Sequence, residues 1–378
     1  MEPQDSSSGP KVPERRQGRR IFDWISEPRS IELTPFQQFT VDIDGSKSPL
    51  GPMKDWPAQL RHMVLLIFAD SSPAVVYWGD GNTIVYNEPY TQLIGQKHPH
   101  LQGQDPKIQF AEIWDYFGPM LDKQKEDVIT VVGDEAFLLL HRHGFLEETF
   151  FSWKFVPVIG PEGWVVASHA TVHEVTREII SDRRLRTVRT LSLELSKAKT
   201  IKDLWRFLIK ALENAALDLP LALLYTISDP SEISKYLRSS PAGTPNSVHV
   251  SLEASIGVHP EHTSAPAQFD LTADQNWLSA AFQKAMKELV QVEIRISNEL
   301  SSIFGGIEWR GYGAPSSSAI VCPITPTNAK TVLAFLVVGL NPRRKYDEDF
   351  QGFIHLLTQQ VTTPTVSTVI LREEIERR

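Results

Sequence analysis

The order of strand-like and helix-like segments between residues 57 and 175 constrains the fold more than any other sequence feature. The segments Ala74–Trp78 and Thr83–Tyr86 have the composition of strands and are joined by Gly79-Asp80-Gly81-Asn82, a run typical of a tight turn. The segments that follow are predicted as helices at Glu88–Ile94 and Ile113–Lys125 and as strands at Glu135–Leu140, Thr149–Pro157 and Trp164–His173. This order predicts an antiparallel sheet with its helices on one face, an α+β arrangement.

The second half of the chain predicts another antiparallel sheet. Apolar and polar residues alternate over Val248–Ile256, as expected of a half-buried strand, and Leu221–Ile227 reads as a buried one. Helices are predicted at Ile201–Asn214 and from Asp347 onward. The fold class is therefore α+β, with two antiparallel-sheet domains joined by a helical linker.

These patterns divide the chain into six segments. They are a disordered basic tail at 1–20, an N-terminal extension at 21–56, a first domain at 57–175, a linker helix at 176–198, a second domain at 199–370 and a C-terminal helix stub at 371–378. The tail has too few apolar residues to bury a core, so we expect it to be solvated. Its arginines are also compatible with a nuclear-import or lipid-contact signal.

The linker helix has a single apolar stripe. Its members follow a 3-3-4 spacing and are Leu185, Val188, Leu191 and Leu195. Such a stripe suits a helix that pairs with a copy of itself, so the sequence predicts a homodimer.

Composition excludes several classes of function. The net charge of −8 argues against a broad nucleic-acid surface. One cysteine, Cys322, rules out an intramolecular disulfide, and the longest apolar stretches are too short to span a bilayer. A cytoplasmic protein is the simplest interpretation.

No motif indicates catalysis or metal binding. The pairs His98/His100 and His141/His143 could each place two ligands on one side of a strand, but no acidic or cysteine ligand completes a set nearby. The glycines between Gly305 and Gly313 lead into a strand rather than a helix, unlike a phosphate-binding loop. We therefore predict no catalytic and no metal residue, and the cofactor stays unknown.

Several short motifs resemble known sensory domains. Those of the first half are Ser48-Pro49-Leu50-Gly51-Pro52, Trp56-Pro57, Trp78-Gly79, Val85-Tyr86-Asn87-Glu88, Ile94-Gly95-Gln96-Lys97-His98-Pro99, Glu112-Ile113-Trp114, Gly118-Pro119-Met120 and Glu147-Glu148-Thr149-Phe150-Phe151. In order and spacing they resemble a PAS subfamily found at the front of sensor histidine kinases. Ala254-Ser255-Ile256-Gly257 and Val338-Gly339-Leu340-Asn341-Pro342-Arg343-Arg344 resemble the GAF domain that follows in those proteins. The resemblance covers about residues 45–360.

The resemblance implies a signal-sensing and dimerisation module of a two-component-type pathway. The kinase core has no counterpart here, since His355 is followed by Leu356-Leu357-Thr358 rather than the phosphoacceptor pattern. Some GAF domains hold a chromophore on a cysteine, yet Cys322 lies in an apolar run that predicts core packing. The alternatives are a stand-alone adaptor that binds a signalling protein, and an enzyme whose groups are separated in sequence.

Aromatic residues of the first domain are the candidate ligand-binding set. They are Trp78, Tyr86, Tyr90, Trp114, Phe150 and Trp153. Aromatic side chains line small-molecule pockets, but they also fill cores. Both interpretations are open at the level of the sequence.

Overall fold

The computed structural model describes residues 25, 32–43, 45–227, 248–259, 261–326 and 331–362. The predicted tail at 1–20 and stub at 371–378 lie outside the described residues. The chain divides into two compact units, Met1–Val175 and Thr176–Arg378.

The first unit contains one antiparallel sheet. Its helices are α1 (Pro35–Val41), α2 (Ala58–Ala69), α3 (Tyr90–Ile94), α4 (Pro106–Gln109) and α5 (Ala111–Asp127), and its strands are β1 (Ala74–Trp78), β2 (Thr83–Tyr86), β3 (Val131–His141), β4 (Leu146–Ile159) and β5 (Val165–Glu174). The strand order is β2-β1-β5-β4-β3, with every pair antiparallel. The predicted α+β class is confirmed for this half.

Helices cover both faces of this sheet, whereas the segment order predicted one. Val75 belongs to the core beneath α3 and α5, and the next residue, Val76, belongs to the core beneath α2. Successive residues of a strand point to opposite faces, so β1 is buried on both. Its uninterrupted apolar run, Ala74–Trp78, is the sequence pattern of such a strand.

Asn87 joins the elements at the start of the first unit. Its side-chain carbonyl accepts from the backbone N–H of Ala74 (2.9 Å) and of Tyr90 (3.3 Å). Its Nδ2 donates to the carbonyls of Ile67 (3.0 Å) and Ser72 (2.7 Å). One buried amide thus satisfies backbone groups of α2, β1 and α3, which explains why asparagine stands at this position.

The second unit contains a six-stranded antiparallel sheet. Its helices are α6 (Thr176–Leu195), α7 (Ile201–Leu212), α8 (Ser279–Glu288), α9 (Asn298–Ser301) and α10 (Glu348–Thr362), and its strands are β6 (Leu221–Ile227), β7 (His249–Ile256), β8 (Gln268–Asp270), β9 (Val292–Arg295), β10 (Ser318–Ile324) and β11 (Ala334–Gly339). The strand order is β8-β7-β6-β11-β10-β9. One face packs against α6, α7 and α10, and the other against α8.

The helix predicted as a linker at 176–198 packs as part of the second unit. It ends at Leu195, and its buried residues Leu191 and Leu195 share a core with Leu204 and Leu208 of α7. None of the helices within the described ranges is both long and apolar enough to cross a membrane.

Candidate functional site

A cavity of about 50 Å³ lies between the sheet of the first unit and helices α3 and α5. This space holds roughly three water molecules, or a few heavy atoms of a ligand. Its lining is almost entirely apolar and includes Tyr77, Tyr90, Phe117, Leu138, Trp153 and Val172. Successive side chains of a strand point to opposite faces of the sheet. Phe151, Trp153 and Phe155 of β4 therefore all point to the face that α3 and α5 cover.

The cavity brings together three of the six predicted aromatic residues, namely Tyr90, Trp114 and Trp153. Trp78 packs instead with the core under α2, because its strand position points to the opposite face. Phe150 likewise lies off the cavity and packs on Phe137, with ring centroids 5.5 Å apart.

Tyr86, the remaining predicted residue, faces the helices but lies outside the cavity lining. It is fully buried, its ring lies 5.4 Å from that of Tyr90, and its hydroxyl is 3.1 Å from His98 Nδ1. The sequence reasoning missed five other aromatic residues of the lining, namely Tyr77, Phe110, Phe117, Phe151 and Phe155. The i, i+2, i+4 pattern of Phe151, Trp153 and Phe155 is the signal that could have identified the lining face of β4.

Polar groups within the lining are few. Tyr77 and Tyr90 are hydrogen-bonded through their hydroxyls. The indole N–H of Trp153 is buried and has no acceptor among the described residues. The Trp153 ring packs closely on Gly133, where a Cβ atom would come within 2.2 Å of the ring. Because the lining is almost entirely apolar, the cavity suits a small apolar molecule.

The tyrosines predict a loss of stability at alkaline pH. Burial raises the pKa of Tyr90 to about 12, and the hydrogen bond from Tyr77 opposes part of that rise. The phenol of the unfolded chain titrates near pH 10. The stability that Tyr90 contributes is therefore complete below pH 10 and is lost as the pH rises toward 12. Tyr90→Phe should reduce the loss of unfolding free energy over this range by about 2–3 kcal/mol, measured by urea unfolding between pH 9 and 12.

The matched control is Tyr116→Phe, because Tyr116 is 54% exposed. It should leave the pH dependence of the unfolding free energy unchanged. If Tyr90→Phe and the parent protein lost stability in parallel, Tyr90 would not be the buried phenol responsible.

Arg142 connects the cavity wall to the end of the sheet. Its side chain is 6% exposed, and its Nη1 donates to the carbonyl of Leu93 (3.1 Å), a residue of α3 that lines the cavity. The same guanidinium binds both carboxylate oxygens of Glu174 (2.7 and 2.6 Å) and one of Glu147 (3.1 Å). Burial alone would lower the pKa of Arg142, but the two carboxylates outweigh it and raise the pKa above its ordinary value.

The backbone of Arg142 also holds the end of α3. Its carbonyl accepts from the N–H of Gln96 (3.0 Å), and a Cβ atom at Gly95 would lie 2.6 Å from the same oxygen. Gly95 has a φ of +53°, a conformation that other residues rarely adopt. The motif around Gly95 therefore serves this close approach between α3 and the β3–β4 turn.

One member of each histidine pair makes a side-chain contact within the first unit. His98 packs against the rings of Phe36 and Phe39, and His143 contacts the carboxylate of Glu147. Within the described part of the chain, no three His, Cys, Asp or Glu side chains are grouped as a metal site would need.

The predicted dimer stripe is divided between core and surface. Leu191 and Leu195 are buried in the core of the second unit, and Val188 packs against that core. Leu185 is 59% exposed, and Leu193, which the pattern did not single out, is 57% exposed.

Cys322 and His355 are two other residues of the second unit that the sequence analysis considered. Cys322 is buried in β10, which raises its thiol pKa to about 12, and His355 contacts Gln359 at the surface.

The second unit fixes α6 through a buried ion cluster. Asp218 is 1% exposed and accepts hydrogen bonds from Arg183 (2.7 and 3.0 Å) and Arg184 (3.0 Å). The Arg184 guanidinium also lies 3.9 Å from the centre of the Phe350 ring of α10. A charge thus interrupts the buried stripe of α6, and its partners set how α6 sits on α10.

No protein-family model matches the chain, and no curated protein is similar to it in sequence. Solved structures do match. The GAF domain of the phosphoenolpyruvate-protein phosphotransferase from Acinetobacter is 14% identical, with a TM-score of 0.33 over 52% of this chain and 98% of that one. The PAS domain of BvgS from Bordetella pertussis is 16% identical, with a TM-score of 0.29 over 35% of this chain and 98% of that one.

A sensory box sensor histidine kinase from Vibrio cholerae is also 16% identical, with a TM-score of 0.23 over 32% of this chain and 94% of that one. The predicted similarity to PAS and GAF sensory domains is confirmed. Matches at this level of identity concern the fold.

Proposed function

We propose that the chain is a signal-input module in which the first unit senses a small apolar molecule and α6 carries the response. The observation that carries this proposal is the position of Arg142. Its guanidinium binds the carbonyl of Leu93 in the cavity wall and also the carboxylate of Glu174. Glu174 precedes Thr176, the first residue of α6, by two positions.

A ligand would act through this connection. The cavity volume of about 50 Å³ is small, so a molecule larger than a few atoms has to displace α3 or α5. A shift of α3 moves the carbonyl of Leu93, and the bidentate Arg142–Glu174 pair then transmits the shift to the end of β5. The size of the response is limited by the difference in ligand affinity between the two states.

The output belongs to the same proposal. The module has no catalytic role of its own and acts in a two-component-type pathway, as a homodimer or through a signalling protein. Because Leu191 and Leu195 are buried within the unit, the pairing surface consists of the outward residues Leu185 and Leu193 of α6. This surface replaces the stripe inferred from spacing alone.

Native mass spectrometry tests the sensing function. Protein purified from its host cell should have a mass excess over the denatured chain, and Leu138→Trp, which fills the cavity, should remove that excess. Val132→Trp is the matched control, since Val132 lies on the same strand but is 66% exposed. A mass excess that survives Leu138→Trp would show that the ligand lies elsewhere.

A bare polypeptide mass for the parent protein would favour the second candidate function, an adaptor that binds its partner without a ligand. One observation supports that alternative. The closely packed aromatic rings of the first core, such as Phe117 and Trp153 with centroids 5.0 Å apart, fill most of the space in which a ligand would sit.

A further inference from the structure

A groove of about 500 Å³ runs along one face of α7 in the second unit, outside the proposed signal path. Its walls are one side of α7 and the strand β7. The helix side is lined by Lys202, Trp205, Arg206, Ile209 and Lys210, and by Glu213, the residue after α7. These positions follow the i, i+3, i+4, i+7, i+8, i+11 spacing of a single helix face. The face is continuous over three turns.

The charges of this face are arranged in a row. Lys202, Arg206 and Lys210 are exposed and stand four residues apart, or about 6 Å along the helix axis. Arg206 donates to Asp203 at 2.8 Å, whereas Lys202 and Lys210 have no ion-pair partner within 4 Å in the described part of the chain. The three cations outnumber the two carboxylates of the lining, Glu213 and Glu253, in a chain whose net charge is −8. Trp205 and Ile209 form the apolar floor.

The opposite wall is an open sheet edge. On one side β7 pairs with β6, and on the other it pairs with β8 from His249 to Ser251, with one further backbone hydrogen bond from Leu252 N–H to the carbonyl of Ala267 (2.8 Å). Among the described residues, no strand continues that pairing along 253–256. Glu253 is an extra residue in β7, since Leu252 pairs with Tyr225 and Ala254 with Leu224. Such a bulge redirects a side chain, and both Glu253 and Ala254 line the groove.

We propose that this groove binds an extended acidic segment of a partner protein, which adds a strand to the open edge of β7. Main-chain groups of an edge strand are unpaired and recognise an extended peptide. Side chains of such a peptide that point to one face recur about every 6.6 Å, close to the 6 Å spacing of the α7 cations. Acidic residues at every second position would therefore meet Lys202, Arg206 and Lys210 in register.

A labelled peptide of alternating Val and Glu, titrated against the full chain, tests the proposal by fluorescence anisotropy. The variant Lys202→Glu/Lys210→Glu should weaken binding about tenfold, because attraction becomes repulsion at two positions. The matched control is Lys284→Glu/Lys287→Glu, which reverses two exposed cations on α8 and should leave the affinity unchanged. Hydrogen exchange with the peptide bound should show new protection at residues 253–256.

Three results would overturn the proposal. A Val/Lys peptide that binds as tightly as the Val/Glu peptide would show that the groove does not select acidic side chains. If an N-methylated Val/Glu peptide kept its affinity, backbone hydrogen bonds to β7 would not contribute to binding. Protection of 253–256 in the chain alone, lost on dilution, would show instead that a second copy occupies this edge.

Discussion

Replacing Leu191 with lysine is expected to destabilise the second unit strongly. Leu191 is fully buried between α6 and α7, so the variant forces an ammonium group into an apolar core. The expected loss is more than about 4 kcal/mol of unfolding free energy, because the cost of a buried unpaired charge adds to the lost packing. In a unit of this size that lowers the melting temperature by about 10 °C or more, which differential scanning calorimetry would detect.

Leu185→Lys is the matched variant, since Leu185 lies on the same helix and is 59% exposed. It should leave the melting temperature within about 1–2 °C of the parent value. If Leu185 and Leu193 form the homodimer surface, this variant should also halve the mass measured by light scattering. A folded Leu191→Lys monomer would contradict this view and would return the dimer contact to the stripe predicted from spacing.

The stripe on α6 shows what a sequence pattern determines. A 3-3-4 spacing correctly indicated that Leu191 and Leu195 lie on a single buried face. The pattern does not identify which surface covers that face, and here it is α7 of the same unit. Arg184 was missed for a related reason, because a buried arginine becomes intelligible only when Asp218 and Phe350 are brought beside it.

The strands were predicted more closely than the site. β1, β2 and β6 begin and end at the predicted residues, because each is a short apolar run bounded by turn residues. β8 was not predicted, since three residues are too few for a periodic pattern. The cavity depends on which strand face is covered and on the placement of α5, so only three of the six predicted aromatic residues line it.

Arg142→Met is expected to destabilise the first unit by about 3–5 kcal/mol. The substitution keeps the apolar stem but removes the guanidinium from two carboxylates, Glu147 at 6% and Glu174 at 24% side-chain exposure. It also leaves the carbonyl of Leu93 without that donor. Hydrogen exchange of peptides from β3 to β5 would measure the loss. Arg177→Met is the control, because its ion pair with Asp349 is exposed to solvent and should contribute little to stability.

A double-mutant cycle separates the ion pair from simple packing. If the bidentate contact between Arg142 and Glu174 is the main term, Arg142→Met in a Glu174→Gln background should cost at least about 1 kcal/mol less than in the parent. Additive losses would mean that Arg142 stabilises the turn by packing and by its contacts with Leu93 and Glu147. In that case the cavity wall and the residue that precedes α6 would not be coupled, and the proposed path from ligand to helix would lose its physical basis.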